Sequence, residues 1–326
     1  MKTDNPDSQM TPEPCVCQIE HWSILVCEGE DARTFLQGQV TTDLNTLTLG
    51  QGALGACLNL QGRAISSFFL IARAEHCFWL VLPRDILEKT QASLGKYAVF
   101  SKVTLQPMTD TCTLYGLAGY TMAQLKDILP GNAVIPEKRY ETGTWGQQVL
   151  LKLNGPHRYL LVAPQDALDP PKSTHQHAWL MHQLLAVEPL IGLELSEKII
   201  PSNLNYAELG AISYEKGCYR GQEIIARLHY RGTSKEGLYL IQALLATGED
   251  ESASNDSFTG KTLCDATTQQ AIGTLITSAW GKDNTLVILA VCKKALFESL
   301  LQNQGQLTIE ACQLSQLQRL ELHYTD

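Results

Sequence analysis

The chain has 326 residues, a formal net charge of −9 and 44% hydrophobic residues. That length and apolar content can bury a sizeable core in two or three domains, and the acidity argues against a broad nucleic-acid surface while leaving room for a local basic patch. No run reaches the ~18 consecutive apolar residues of a membrane-spanning helix, and the opening "MKTDNPDSQMTPEPCVCQ" lacks the apolar segment of a secretory signal. A cytoplasmic protein without membrane contact is expected. The ten cysteines show no C-x-x-C pair or regular framework, a pattern that suits reduced thiols, most of them small packing residues.

The first eighteen residues are polar and proline-containing, and predict a mobile tail that holds Cys15 and Cys17. From Ile19, "IEHWSILVCEG" predicts a strand, and "EDARTFLQGQV" a short helix started by Glu30 or Asp31 with Phe35 and Leu36 inward. "GALGACLNL" and "RAISSFFLIAR" predict a hairpin turning at Gln61-Gly62. "CFWLVLP" predicts a strand, "RDILEKTQASLGKYA" a helix with Ile86, Leu87, Leu94 and Tyr97 apolar, and "FSKVTL" another strand. "TCTLYGLAG", "TMAQLKDIL", "QQVLLKLN", "RYLLVA" and "HAWLMHQLLAV" then give strand, helix, strand, strand, helix, so a split β-α-β unit is used twice.

From Pro189 to about Ser213 there is little periodicity, and a loop of that length inside a compact protein points to function or disorder. "QEIIARL" predicts a short helix beside Gly221. From Leu238, "LYLIQALLA", "KTLCD", "AIGTLITSAW", "TLVILAVCK" and "LTIEAC" predict the strands of a small barrel or sandwich, with "TGEDESASNDS" as an exposed connector.

The chemical candidates gather in "YEKGCYRGQEIIARLHYRG" at 214–232. Cys218 stands between Gly217 and Gly221, with Lys216 and Arg220 close in sequence and a helix about to begin. Positive neighbours and a helix start favour a thiolate, and glycines allow a tight bend or close approach to a ligand. The competing reading is a buried cysteine in a turn whose charges are merely solvated, and residue types alone leave the two balanced. Within 198–235, Lys198, Lys216, Arg220, Arg227, Arg231 and Lys235 face only Glu208, Glu215 and Glu223, against the overall charge of the chain. A Cys218–His229 pair is disfavoured by their separation, and His175, His177 and His182 match no metal-ligand spacing. Trp22 and Trp179 are either core residues or stacking partners for a flat heterocycle.

"KGCYRGQE" at 216–223 resembles the K-G-C-[FY]-x-G-Q-E signature of the YgfZ family of folate-binding proteins, relatives of the glycine-cleavage T-protein. "DARTFLQGQVTTDL" at 31–44 and "GKYAVFSKVTL" at 95–105 are similar to further segments of that family, so the resemblance spans about Ile19 to the C-terminus. It implies an α+β fold with ferredoxin-like folate-binding lobes, about 19–105 and 106–236, and a C-terminal antiparallel β-barrel over 237–326, grouped around a central channel. By the same resemblance the protein binds tetrahydrofolate and holds no permanent metal. It supports the assembly or repair of iron–sulfur enzymes, including tRNA-methylthiolating ones, so its link to tRNA is indirect; a monomer is expected. The functional thiol falls on Cys218, with Lys216 and Arg220 as thiolate support and Gly217, Tyr219, Gly221, Gln222 and Glu223 completing the motif. The tryptophans associated with folate fall on Trp22 and Trp179.

The sequence also departs from these relatives. Ser66 and Ser67 stand where the T-protein has paired aspartates, and a hydroxyl cannot take over a carboxylate's proton-accepting role. Leu185 replaces a glutamate of the folate pocket, and Ser202 follows Pro201 where glutamine is common. Two alternatives to the accessory role follow. One is a folate-dependent aminomethyl-type transferase drawing on Glu223 or Asp43. The other is a direct tRNA-binding factor that uses Arg227 and Arg231.

Overall fold

The computed structural model describes residues 12–108, 111–165, 175–232, 234–245, 258–281, 284–310 and 312–324. Three sheets divide the strands, and all strand pairs are antiparallel.

The first sheet contains β2 (Trp22–Glu28), β3 (Gly52–Leu58), β4 (Ala64–Ala74), β5 (Cys77–Pro83) and β6 (Thr104–Pro107) in the order β3-β4-β5-β2-β6. Helices α1 (Ala32–Gln37) and α2 (Leu87–Ala98) are its crossovers. With β3 set aside as an added edge strand, the order is that of a ferredoxin-like β-α-β-β-α-β unit. The near-continuous apolar run of β4 follows from burial on both faces. Phe69 and Ile71 point into a central cluster, whereas Phe68, Leu70 and Ala72 point the other way, into the core with Phe35, Leu36, Ile86, Leu87 and Leu94.

The second sheet runs β1-β7-β10-β9-β8, from β1 (Cys15–Gln18), β7 (Cys112–Ala118), β8 (Thr142–Trp145), β9 (Gln148–Lys152) and β10 (Arg158–Pro164), with α3 (Met122–Ile128) and α4 (His175–Leu185). Here the expectation of a mobile tail through residue 18 is corrected. Cys15 to Gln18 pair with Ala118 to Tyr115, and Cys15 and Cys17 are buried. Nothing local stabilises so short a strand; its partner lies a hundred residues away, so local composition could not show it. The strand also explains the topology. A ferredoxin-like unit needs a last strand after α4, but this chain leaves α4 into a long irregular segment, and β1 takes the vacant edge.

That segment holds two short 3-10 turns, Leu193–Leu195 and Pro201–Leu204, before α5 (Gln222–Arg231). A closed barrel follows in the order β11-β14-β13-β12-β15-β16, made of β11 (Glu236–Leu245), β12 (Thr262–Asp265), β13 (Ala271–Trp280), β14 (Thr285–Lys293), β15 (Leu307–Ile309) and β16 (Cys312–Leu320). Helix α6 (Lys294–Gln302), which the strand pattern did not predict, packs Phe297 and Leu300 into the barrel core. The "TGEDESASNDS" connector lies outside the described residues.

Each sheet turns one face toward a shared core. Leu54, Phe69 and Val81 come from the first sheet, Leu151, Leu160 and Val162 from the second, and Leu238, Leu240, Ile276 and Leu289 from the barrel. Trp179 and Leu184 carry α4 into the same cluster, and the irregular segment adds Leu195, Leu204, Tyr206 and Leu209. Burial of this common surface holds the three sheets together.

Candidate functional site

The Cys218 turn is built from backbone staples. Ser213 N–H donates to the Thr41 carbonyl at 2.9 Å, and the Thr41 hydroxyl donates to the Ala211 carbonyl at 2.6 Å. These bonds lay 211–213 along 40–42, and Lys216 then ties the turn to the same segment. Its buried ammonium donates to the carbonyls of Val40 at 2.9 Å and Thr42 at 2.7 Å and lies 5.1 Å from the Tyr219 ring centroid. Burial holds its pKa down to about 8, against the opposing pull of the Asp43 carboxylate. Arg220 N–H donates to the Gly38 carbonyl at 3.2 Å, and its guanidinium donates to Ser93 Oγ at 2.9 Å and lies over the Tyr97 ring at 5.2 Å. Neither cation bonds to the Cys218 thiol among the described residues. Both hold the turn on which it sits.

The two glycines differ. Gly221 has φ +78°, and a Cβ there would lie 2.5 Å from the Asn59 carbonyl oxygen and 2.8 Å from Leu58 Cβ. Gly217 has open space around it. Gln222 Oε1 accepts from Tyr219 N–H at 3.3 Å, Tyr219 is buried, and the exposed Glu223 lies in the first turn of α5, where negative charge is favoured. The outcome is an exposed Cys218, whereas the other nine cysteines are buried or half-buried. His229 lies on the Tyr214 ring, centroids 3.8 Å apart, and is not bonded to the thiol.

Trp22 and Trp179 are brought together, with ring centroids 6.3 Å apart at 72°, and both are almost fully buried. Trp22 lines a cleft of about 460 Å³ beside Ile19 and Leu114. On the other side the Arg158 guanidinium lies 5.1 Å from the Trp179 ring and lines a second cleft, of about 640 Å³, with Leu185, His182 and Leu240. Among the described residues, Trp179 Nε1 and Arg158 Nε and Nη2 are buried without hydrogen-bond partners. Arg158 Nη1 donates to Glu188 Oε2 at 2.7 Å, and Tyr140 donates its hydroxyl to Glu188 Oε1 at 2.7 Å. The Tyr140 hydroxyl is held well above its usual pKa by burial and by that carboxylate.

Arg158, Glu188 and Tyr140 escaped the sequence reading. Their trace was a lone acid in the apolar run "LLAVEPLI" and a lone arginine opening the strand "RYLLVA", each of which needs a partner when buried.

Ser66 and Ser67 are fully buried on β4. Ser67 Oγ accepts from Ile191 N–H at 2.7 Å and lies 2.8 Å from the Tyr206 hydroxyl, while Ser66 Oγ has no partner among the described residues. Asp43 lies elsewhere, accepting from Gln37 Nε2 at 2.8 Å. Ser202 sits in the Pro201–Leu204 turn. His182 lies 3.1 Å from the Glu13 carbonyl and is kept below its usual pKa by burial; His177 is exposed, and the side chain of His175 lies outside the described residues. Among the described residues no three His, Cys, Asp or Glu side chains gather as a metal site, and no helix is long and apolar enough to cross a membrane.

Two ferredoxin-like lobes and a closed barrel on one shared core define a T-protein-like fold. The crystal structure of glycine cleavage system aminomethyltransferase T from Bartonella henselae matches it with a TM-score of 0.68 over 98% of this chain and 90% of that one, at 16% sequence identity. In sequence, the tRNA-modifying protein YgfZ of Escherichia coli O157:H7 is 32% identical over 246 residues, 71% of this chain and 74% of the relative. The protein of the same name from Escherichia fergusonii is 31% identical over the same shares. The chain belongs to the YgfZ family. No protein-family model matches it.

Proposed function

We propose that this chain acts in tRNA modification, as the names of its relatives indicate for them, and that it does so as a tetrahydrofolate-binding accessory factor. Its clients are iron–sulfur enzymes under assembly or repair, tRNA-methylthiolating enzymes among them, and Cys218 is the working thiol. The observation that carries this reading is the exposure of Cys218 alone among ten cysteines, on a turn fixed from three sides by Lys216, Arg220 and Gly221. A thiol held out on a stapled turn suits delivery to a partner's sulfur or cluster. Lys216 and Arg220 support it by position, since their charges are engaged by carbonyls, a hydroxyl and an aromatic ring.

The residues at the tryptophan pair fit a folate. Trp179 Nε1 and Arg158 Nε and Nη2 are three buried donors seeking acceptors; the heteroatoms of a pterin, or the carboxylates of its glutamate tail, supply them. The cleft that Arg158 lines, at about 640 Å³, has the size of a small-molecule site. Trp179, backed edge-on by Trp22, would hold the flat ring system, with Leu185 providing apolar wall. Tetrahydrofolate would bring a reduced pterin able to carry one-carbon units. We take 19–236, in two lobes, as the folate-binding region, 237–326 as the barrel domain, and the protein as a cytoplasmic monomer.

Fluorescence titration with tetrahydrofolate tests the cofactor: the parent binds, Trp179→Phe and Arg158→Met bind less tightly, and Cys218→Ala binds normally. In cells lacking their own copy, Cys218→Ala fails to restore activity of a tRNA-methylthiolating enzyme. A parent that does not bind tetrahydrofolate removes the cofactor from this reading, and full restoration by Cys218→Ala removes the thiol.

A further inference from the structure

A further cleft lies apart from the tryptophan pair. It encloses about 850 Å³ between the 42–53 segment, residues 138–141 and the approach to α5. One wall is aromatic. Tyr214 and His229 are stacked at 3.8 Å with 16° between planes, and Tyr230 stands edge-on to both, at 6.4 and 4.8 Å. Tyr230 is 67% exposed, so this cluster of rings ends in solvent rather than in the core. Exposed aromatic faces are ready to take another flat π system.

The charges around the wall are arranged to match. Lys138 and Arg139 line the cleft, while Arg227 and Arg231 lie one helical turn apart on α5, three residues before and one after Tyr230. Among the described residues none of these four cations forms an ion pair. Within the cleft, Asp43, Glu141 and Glu215 present acceptor oxygens. Carboxylates in the cleft oppose a ligand that lines it with phosphates. They accept hydrogen bonds from exocyclic amines, however, while Lys138 and Arg139 in the cleft and Arg227 and Arg231 on the helix that carries Tyr230 take phosphates.

We propose that this cleft binds an unpaired nucleotide segment, such as a loop of a folded RNA. Its bases stack on the exposed Tyr230 and His229 rings beside Tyr214, and its phosphates meet Arg227, Arg231, Lys138 and Arg139. Aromatic platforms flanked by cations recognise single strands because every base offers a π face and an unstacked base is free to take it. A duplex keeps its bases stacked on one another and gains nothing from the platform. The inference goes beyond the accessory reading by giving the chain direct contact with RNA, and it uses none of the residues assigned to folate or to the thiol.

The test is fluorescence anisotropy of the full chain with a labelled single-stranded RNA of about twelve nucleotides, within the footprint range of single-strand binders. The same sequence as duplex RNA and as single-stranded DNA, and titrations from about 50 to 200 mM salt, complete the set. The single strand binds more tightly than the duplex, and comparison with DNA shows whether the 2′-hydroxyl contributes. His229→Ala and Tyr230→Ala each weaken single-strand binding by about fivefold or more, whereas Tyr230→Phe keeps it. Arg227→Gln with Arg231→Gln lowers the salt slope by about 1.4. Tetrahydrofolate binding is unchanged in all these variants. No binding at about 50 mM salt overturns the proposal, as does equal affinity for duplex and single strand with the aromatic variants unaffected. Displacement of RNA by tetrahydrofolate, with loss of folate binding in His229→Ala, assigns the cleft to the pterin and overturns it too.

Discussion

Replacing Gly221 by alanine tests whether the Cys218 turn is held as tightly as its geometry indicates. At φ +78° an L-residue loses about 1–2 kcal/mol relative to its favoured conformations. The new Cβ would also meet the Asn59 carbonyl oxygen at 2.5 Å and Leu58 Cβ at 2.8 Å. The first is backbone at the start of the β3–β4 turn and the second belongs to a fully buried side chain, so neither can swing aside. Overpacking of this kind adds about 1–3 kcal/mol, for a total of about 2–5 kcal/mol. Gly217 is the internal control. It has no positive φ, and no atom lies within 4 Å of the point where an alanine methyl would stand, so Gly217→Ala stays within about 0.5 kcal/mol of the parent. Urea unfolding followed by circular dichroism gives both values, and native-state alkylation of Cys218 reports whether the turn has loosened. A Gly221→Ala loss below about 1 kcal/mol, or equal losses at the two glycines, would refute the claim that backbone contact at Gly221 fixes the turn.

The buried Arg158–Glu188 pair, 2.7 Å apart and almost without exposure, gives an asymmetric result. Arg158→Met strands the Glu188 carboxylate and destabilises the fold by about 3–5 kcal/mol, and Glu188→Gln costs less because its one amide oxygen keeps one of the two bonds that Arg158 and Tyr140 make to separate carboxylate oxygens; equal losses in urea unfolding would count against the pair. Among the thiols, mass-spectrometric alkylation of the native protein labels Cys218 first, with Cys15, Cys17, Cys27, Cys57 and Cys292 labelled only on unfolding; simultaneous labelling contradicts the burial pattern. Burial pushes these five thiols up to about 12 from an ordinary value of 9. They stay protonated in the fold where the unfolded chain ionises, so their contribution is complete below pH 9 and is lost as pH rises from 9 toward 12. Lys152 and Lys216, held down to about 8, act in the opposite sense between pH 8 and 10.5, but they are two against five. The urea midpoint therefore falls above pH 9, and a flat profile to pH 11 would show that the thiols are not buried as described.

The strand and helix signals of the first lobe were legible because they are local. β4 reads as an apolar run bounded by turn residues, and α2 as an apolar stripe at helical spacing. The "KGCYRGQE" stretch was legible as a motif, since eight consecutive residues carry it. What it could not convey was the use of its charges. Lys216 and Arg220 look like thiolate partners in a line of text, and in space they bind Val40, Thr42 and Ser93. The aromatic wall of the cleft beside α5 was hidden for a similar reason, because Tyr214 and His229 are fifteen residues apart and meet only when α5 folds back over the turn.

The sequence by itself determined the family, the alternation of strands and helices, and the run of short strands that begins near Leu238. These depend on periodicity and short motifs, which are properties of neighbouring residues. Only the tertiary structure decided that Cys15–Gln18 closes the edge of the second sheet, that Arg158 and Glu188 pair beneath Trp179, and that the two glycines around Cys218 are not equivalent. Each of those outcomes depends on what a distant segment brings within a few ångströms. A strand edge finds its partner, a buried charge its counter-charge, and a missing Cβ its reason, only after the chain has closed on itself.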